Sequence, residues 1–227
     1  MTSIVKICGL SSLEALDAAL GAGADMIGLV RFARSPRHLE LEQGRALSAR
    51  ARGKAARVAL VVDADDRALA ETVEAFDPDL LQLHGSETPQ RVAEIRARFG
   101  RPVMKAVGIA EAGDLAALEA YAAVADRLLV DAKPPATTEA LPGGNGLTFD
   151  WRLIAGLDPG KPVMLSGGLD PGNVAAAIAL TRVGAVDVSS GVERRPGEKD
   201  PARIEAFVKA ARAAFTTADP GPAGKPR

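Results

Sequence analysis

Ile4-Val5-Lys6-Ile7-Cys8-Gly9-Leu10 reads IVKICGL and holds the only cysteine of the 227-residue chain. Its β-branched residues predict a strand. Ser11-Ser12 ahead of Leu13-Glu14 predicts a helix start directly after it. Side chains alternate faces along a strand, so Lys6 and Cys8 share one face while Val5 and Ile7 share the other. The stretch therefore predicts a βα unit whose strand carries a charge and a thiol on one hidden side.

The same unit recurs to the far end of the chain. Seven further strand candidates follow: DMIGLV from Asp25, RVALVV from Arg57, LLQLHG from Leu80, PVMKAVG from Pro102, RLLVDA from Arg127, PVMLSGG from Pro162 and AVDVSSG from Ala185. Each precedes a stretch of helical period, with start signals at Asp65-Asp66, at Glu87 and Pro89, and at Asp170-Pro171. Apolar runs of this kind suit parallel strands covered on both faces. Eight evenly spaced rounds predict an α/β fold, a single compact (β/α)8 TIM barrel. A doubly wound open sheet is the alternative, but no dinucleotide fingerprint follows the first strand. We expect residues 1–215 to form the barrel and 216–227, rich in Pro and Gly, to be a disordered tail.

Charge and composition narrow the partners. Twenty-eight basic and 29 acidic residues are mixed along the chain, which leaves no net field for nucleic acid or a membrane surface. No apolar run approaches the roughly 18 residues of a membrane span, and the start lacks a signal-peptide layout, so a cytoplasmic location is expected. One cysteine and two histidines provide no zinc-site spacing, and no nucleotide-binding glycine motif is present. The expectation is no metal and no cofactor. Both a monomer and a homodimer fit the sequence.

Parity along the strands assigns a polar interior. Lys6 and Cys8, Gln82 and His84, Lys105, Asp131, and Asp187 with Ser189 are all expected to point inward. Unpaired buried charge is costly, so Lys6 and Lys105 are expected either to pair with carboxylates such as Asp63 or Asp187, or to serve a site. Cys8, His84, Asp131 and Ser189 fall at carboxyl ends of strands, where barrel active sites are built. Cys8 reads either as a small buried hydrophobe or as a reactive thiol whose ionisation the Lys6 ammonium favours.

Two small hydroxyl-bearing loops, Ser166-Gly167-Gly168-Leu169 and Ser189-Ser190-Gly191, close the seventh and eighth strands. Loops at that place commonly cradle phosphate with backbone N–H groups. Pro142-Gly143-Gly144-Asn145-Gly146 is a third such segment. The loop after the second strand, Arg31 to His38, is basic, and a guanidinium there suits a carboxylate. A small phosphorylated molecule that also carries a carboxylate is the expected ligand.

Taken in order, VKICGL, GADMIGLV with SPRHL, QLHGSE, KAVGI, LLVDAK, GGNGLTFDW, MLSGGLDPGNV and DVSSGVE resemble the phosphoribosylanthranilate isomerase family of tryptophan biosynthesis. The resemblance spans about residues 3 to 210. It implies a barrel that carries out an Amadori rearrangement without metal or redox cofactor, with Asp131 as general acid and Cys8 as general base. It also implies that Arg37 clamps the anthranilate carboxylate and that Gly144, Gly168, Ser190 and Gly191 surround the phosphate. Lys6, Gln82 and His84 complete the expected substrate-binding set. The sequence departs from the family pattern at Val30-Arg31-Phe32, where an aromatic pair is usual, at His38 in place of tyrosine, and at Asn145 in place of threonine. Rival expectations are the histidine-pathway aminoaldose isomerase, which would use an aspartate at position 8, indole-glycerol-phosphate synthase, which would need a lysine acid, and a silent phosphosugar-binding barrel.

Overall fold

The computed structural model describes residues 3–133, 143, 144 and 146–218. Eight parallel strands close into one barrel in sequence order: β1 (Ile4–Cys8), β2 (Met26–Arg31), β3 (Ala56–Val61), β4 (Leu80–Leu83), β5 (Val103–Ile109), β6 (Arg127–Ala132), β7 (Val163–Leu165) and β8 (Ala185–Val188). Closure runs through the register Lys6↔Asp187 between β1 and β8. Among the described residues, seven α-helices surround the ring: α1 (Leu13–Gly21), α2 (Leu41–Ala51), α3 (Asp66–Phe76), α4 (Pro89–Phe99), α5 (Ala116–Ala122), α6 (Val174–Thr181) and α7 (Pro201–Ala218).

Local chemistry sets most helix starts. Ser12 accepts from Ala15 N at 3.2 Å and Asp65 from Ala68 N at 2.8 Å, each satisfying an orphan first-turn amide. Helix α4 is capped by Thr88 with Pro89 following, not by Glu87, whose carboxylate is used elsewhere. Asp170 accepts from Gly172 N and Asn173 N in the turn before α6, so that helix starts only at Val174. After β6 the expected helical stretch is, among the described residues, a single 3-10 turn at Trp151–Ile154. Helix α7 continues to Ala218, three residues past the expected end of the barrel at 215, with Thr216 and Thr217 bonding back to carbonyls of the preceding turn. Residues 219–227 lie outside the described residues.

Among the described residues, apolar packing falls into two main layers and a small cluster beside Cys8. The larger lies between strands and helices and includes Val5, Ile7, Leu81, Leu83, Val130, Val186 and Val188. The smaller plugs the lower barrel with Met26, Val58, Leu80, Met104, Leu129 and Met164. Val5 and Ile7 in the outer layer put Lys6 and Cys8 inside, and the same parity puts Gln82, Asp131 and Asp187 inside.

Lys105 corrects the expected polar set. Met104 and Ala106 belong to the interior plug, so Lys105 points out of the barrel and runs up the back of β5. Its ammonium donates to Glu87 Oε2 at 2.8 Å and to the carbonyl of Gly85 at 2.6 Å, pinning the loop between β4 and α4. The partner is neither Asp187 nor Asp63. Asp187 is taken by Lys6, and Asp63 accepts from Ser86 N at 2.7 Å.

The outer layer leaves little slack at Gly44 in α2, where an added Cβ would lie 2.0 Å from Cε1 of the buried Phe76 ring. Alanine for glycine inside a helix ordinarily gains up to about 1 kcal/mol. Here overpacking of roughly 1–3 kcal/mol outweighs that gain. Gly44→Ala is therefore expected to lower the urea midpoint, and a raised midpoint would show that the α2–α3 contact yields.

Candidate active site

The carboxyl ends of the strands surround a cavity with about 750 Å³ of empty space, its open mouth included. Cys8 at the end of β1 and Asp131 at the end of β6 both line it, three strands apart round the ring.

Cys8 is 4 % exposed. Gly28 stands beside it on β2, where a Cβ would come 2.7 Å from Sγ, so glycine makes the room that the thiol occupies. Below it, Lys6 Nζ donates to Asp187 Oδ1 at 2.8 Å, and Ser166 Oγ donates to Asp187 Oδ2 at 3.2 Å. Burial pushes the Cys8 thiol up, the Lys6 charge pulls it down, and Asp187 pushes it up again; the net direction is upward. Burial also opposes the Lys6 charge, but Asp187 and Cys8 outweigh it and hold the ammonium protonated. Lys6 is thus at once the structural partner of Asp187 and a charge beside Cys8. It does not by itself keep the thiol ionised.

Asp131 Oδ1 accepts from Ala132 N at 2.8 Å, and Oδ2 lies 3.3 Å from His84 Nε2. Gln82 Nε2 lies 2.8 Å from His84 Nδ1. The donor and acceptor roles in that bond follow from the ring tautomer, and His84 Nε2 stands close to Asp131 without a hydrogen bond to it. Gln82 and His84 stand together behind the carboxylate. Gly143 covers it, since a Cβ on Gly143 would come 2.5 Å from His84 Nε2 and 2.8 Å from Asp131 Oδ2.

Of the basic loop after β2, Arg37 enters the cavity wall. Arg31 and His38 turn to each other at 2.8 Å and to Glu40, so the two departures from the family pattern satisfy one another. Phe32, Val30, Leu60 and Val62 form an apolar wall next to Cys8. Arg37 is 5 % exposed and donates Nε and Nη2 to Glu193 at 2.7 and 2.8 Å, with Nη2 also 3.3 Å from the Gly144 carbonyl.

The glycine loops meet on the remaining side. Gly144 and Gly168 have φ of +73° and +61°, and a Cβ on Gly168 would meet Thr148 Cγ2 at 2.3 Å. These backbones need glycine. Ser190 lines the cavity. Gly191 is glycine for another reason: its Cβ would lie 1.9 Å from the Leu169 carbonyl, so it brings the seventh and eighth loops together. Asn145 and Pro142 lie outside the described residues.

Sequence reasoning missed the partners. Glu193, on a short hairpin after β8, and Lys199, on the hairpin's second strand, form the buried base under Arg37. Glu87 looked like a helix start signal. Only the charge of these residues, in positions too buried for solvated side chains, marked them. Among the described residues, no group of three or more His, Cys, Asp or Glu is placed to hold a metal ion, and no helix is long and apolar enough to cross a membrane.

Residues 5–210 match the family model described as N-(5'phosphoribosyl)anthranilate (PRA) isomerase. The chain is 61 % identical over 216 residues to an N-(5'-phosphoribosyl)anthranilate isomerase of Azorhizobium caulinodans, covering 95 % of this chain and 94 % of the relative. It superposes with a TM-score of 0.80 and 34 % identity on a monomeric form of the dimeric enzyme from Thermotoga maritima, covering 94 % of this chain and all of that one. A second solved isomerase, bound to reduced 1-(o-carboxyphenylamino)-1-deoxyribulose 5-phosphate, matches with a TM-score of 0.81 and 33 % identity over 94 % of this chain and all of that one. A closed eight-stranded barrel, a thiol and a carboxylate on one cavity, and these matches along nearly the whole chain lead to one conclusion: the chain belongs to the N-(5'-phosphoribosyl)anthranilate isomerase family.

Proposed function

We propose that this protein catalyses the Amadori rearrangement of N-(5-phosphoribosyl)anthranilate to 1-(o-carboxyphenylamino)-1-deoxyribulose 5-phosphate. The observation that carries the proposal is one cavity lined by Cys8, Asp131, the buried Arg37 and three glycine-rich loops. In this reading Asp131 is the general acid. It gives its proton to the furanose ring oxygen as the C1–O bond breaks and the amine nitrogen forms the C=N bond. Ala132 N then stabilises the carboxylate left behind. The Cys8 thiolate next takes the proton from C2. The C2–H electron pair becomes the C1=C2 bond of an enolamine, which tautomerises to the ketone. C1 is reduced and C2 oxidised within one molecule, so no cofactor enters the balance.

Arg37 would hold the anthranilate carboxylate, with the aromatic ring against Phe32, Leu60 and Val62. The phosphate would lie among Gly144, Gly168 and Ser190. The indole-glycerol-phosphate synthase alternative loses support, because Lys6 is spent on Asp187 and Lys105 lies outside the barrel. Every residue in the scheme comes from one chain, so a monomer or a homodimer would carry it. A cytoplasmic location suits it, since the proposed base is a thiol that must stay reduced.

Crystals grown with reduced 1-(o-carboxyphenylamino)-1-deoxyribulose 5-phosphate test the binding mode. The expected result is the phosphate among the loops after β6, β7 and β8 and the carboxylate at Arg37. A phosphate bound away from those loops would overturn the cradle.

A further inference from the structure

The hairpin after β8, formed by β9 (Glu193–Arg195) and β10 (Glu198–Lys199), lies outside the eight βα rounds, yet it sends two charged side chains under the site. Glu193 and Lys199 are each 6 % exposed. Glu193 takes Arg37 Nε on Oε1 at 2.7 Å and Arg37 Nη2 on Oε2 at 2.8 Å. Lys199 Nζ shares Oε1 at 2.7 Å and also donates to the Ser189 carbonyl at 2.8 Å and to Ser189 Oγ at 3.2 Å. The bidentate edge fixes the plane of the guanidinium. Gly9 closes in from the other side, where a Cβ would lie 2.5 Å from Arg37 Cδ. Two cations thus share one carboxylate, and the network keeps one surplus positive charge in a place shielded from solvent.

We propose that Glu193 and Lys199 are positioning residues for Arg37, a buried Arg–Glu–Lys network that fixes the guanidinium and supplies the surplus charge that binds the anionic substrate. The inference rests on the isomerase reading above. Four elements face Lys199: Glu193 from β9, Arg37 from the loop after β2, Cys8 from β1 and Ser189 from the end of β8. Burial lowers the Lys199 ammonium to about 8, Glu193 and Cys8 hold it up, and Arg37 pushes it down. As pH rises through about 8 the network therefore passes from one positive charge to none. The substrate phosphate and carboxylate are already fully ionised there, so affinity must fall. One unit charge at roughly 10 Å in a medium of effective dielectric about 20 is worth about tenfold or somewhat more in binding.

The test is KM and kcat for phosphoribosylanthranilate across the pH range 7 to 9, alongside calorimetric titration with the reduced product analogue. For the wild type we expect KM to rise about tenfold across that range. Lys199→Met should show the high KM throughout, without the pH step, and a kcat within about threefold of wild type. Lys199→Arg keeps the charge at every pH and should restore a low, flat KM. Glu193→Gln removes both the bidentate edge that fixes the guanidinium and the charge that holds Lys199 protonated, so the network stays near one positive charge and KM should rise at pH 7 and lose its step near pH 8. A Lys199→Met protein with wild-type KM at pH 7, or a wild-type KM that does not change with pH, would overturn the proposal. If the wild type binds the analogue but turns nothing over, the isomerase reading fails while the titrations still decide the role of Lys199. Failure to bind ends both.

Discussion

Asp131→Asn is expected to lower turnover by about two to four decades, the range of a positioned general acid. The substitution keeps size and shape but removes the acidic proton. The one hydrogen bond to the carboxyl group among the described residues, from Ala132 N to Oδ1, can be kept by the asparagine carbonyl. Stability should therefore stay within about 1 kcal/mol of wild type while turnover falls. Steady-state turnover and a urea titration on the same preparation measure both. Turnover within about tenfold of wild type would remove Asp131 from the acid role.

Cys8→Ser should cost a similar two to four decades, because a hydroxyl is a far weaker acid than a thiol and is not available as a base near neutrality. The thiol itself is pushed up by burial and by Asp187, so the thiolate is the minority form at neutral pH. The base acts deprotonated. Wild-type kcat should therefore rise with pH across the neutral and mildly alkaline range, whereas KM should worsen above about 8 as Lys199 loses its proton. The two profiles move in opposite directions and report different groups. In Cys8→Ser the rise in kcat should vanish. Near-normal turnover in that variant would make the thiol a packing residue.

Much of this was readable from strand parity, and the failures have physical causes. Lys6, Cys8, Gln82, Asp131 and Asp187 alternate with Val, Ile and Leu that pack against helices, and the alternation pointed the right way. In β5 it failed. Strands of a barrel are buried on both faces, so a lysine flanked by Met104 and Ala106 carries no mark of which side is inside. A long aliphatic stem lets Lys105 run up the outer face to Glu87. The basic loop was legible by composition, the family resemblance singled out Arg37 within it, and the base under Arg37 was not legible. Glu193 and Lys199 belong to a hairpin that interrupts the βα rhythm, and their pairing spans a turn whose register no periodicity predicts. The helix-start signal at Asp170 was real hydrogen-bonding chemistry spent on a turn rather than on a cap. Gly191 was expected beside the phosphate, whereas the close approach it serves is to Leu169.

Proton-transfer catalysis of an Amadori rearrangement is tested by the anthranilate-type fluorescence of freshly made phosphoribosylanthranilate, followed after addition of the purified protein. The expected result is a decay much faster than in buffer, abolished to within about one per cent in Asp131→Asn and Cys8→Ser. A decay no faster than in buffer would contradict it.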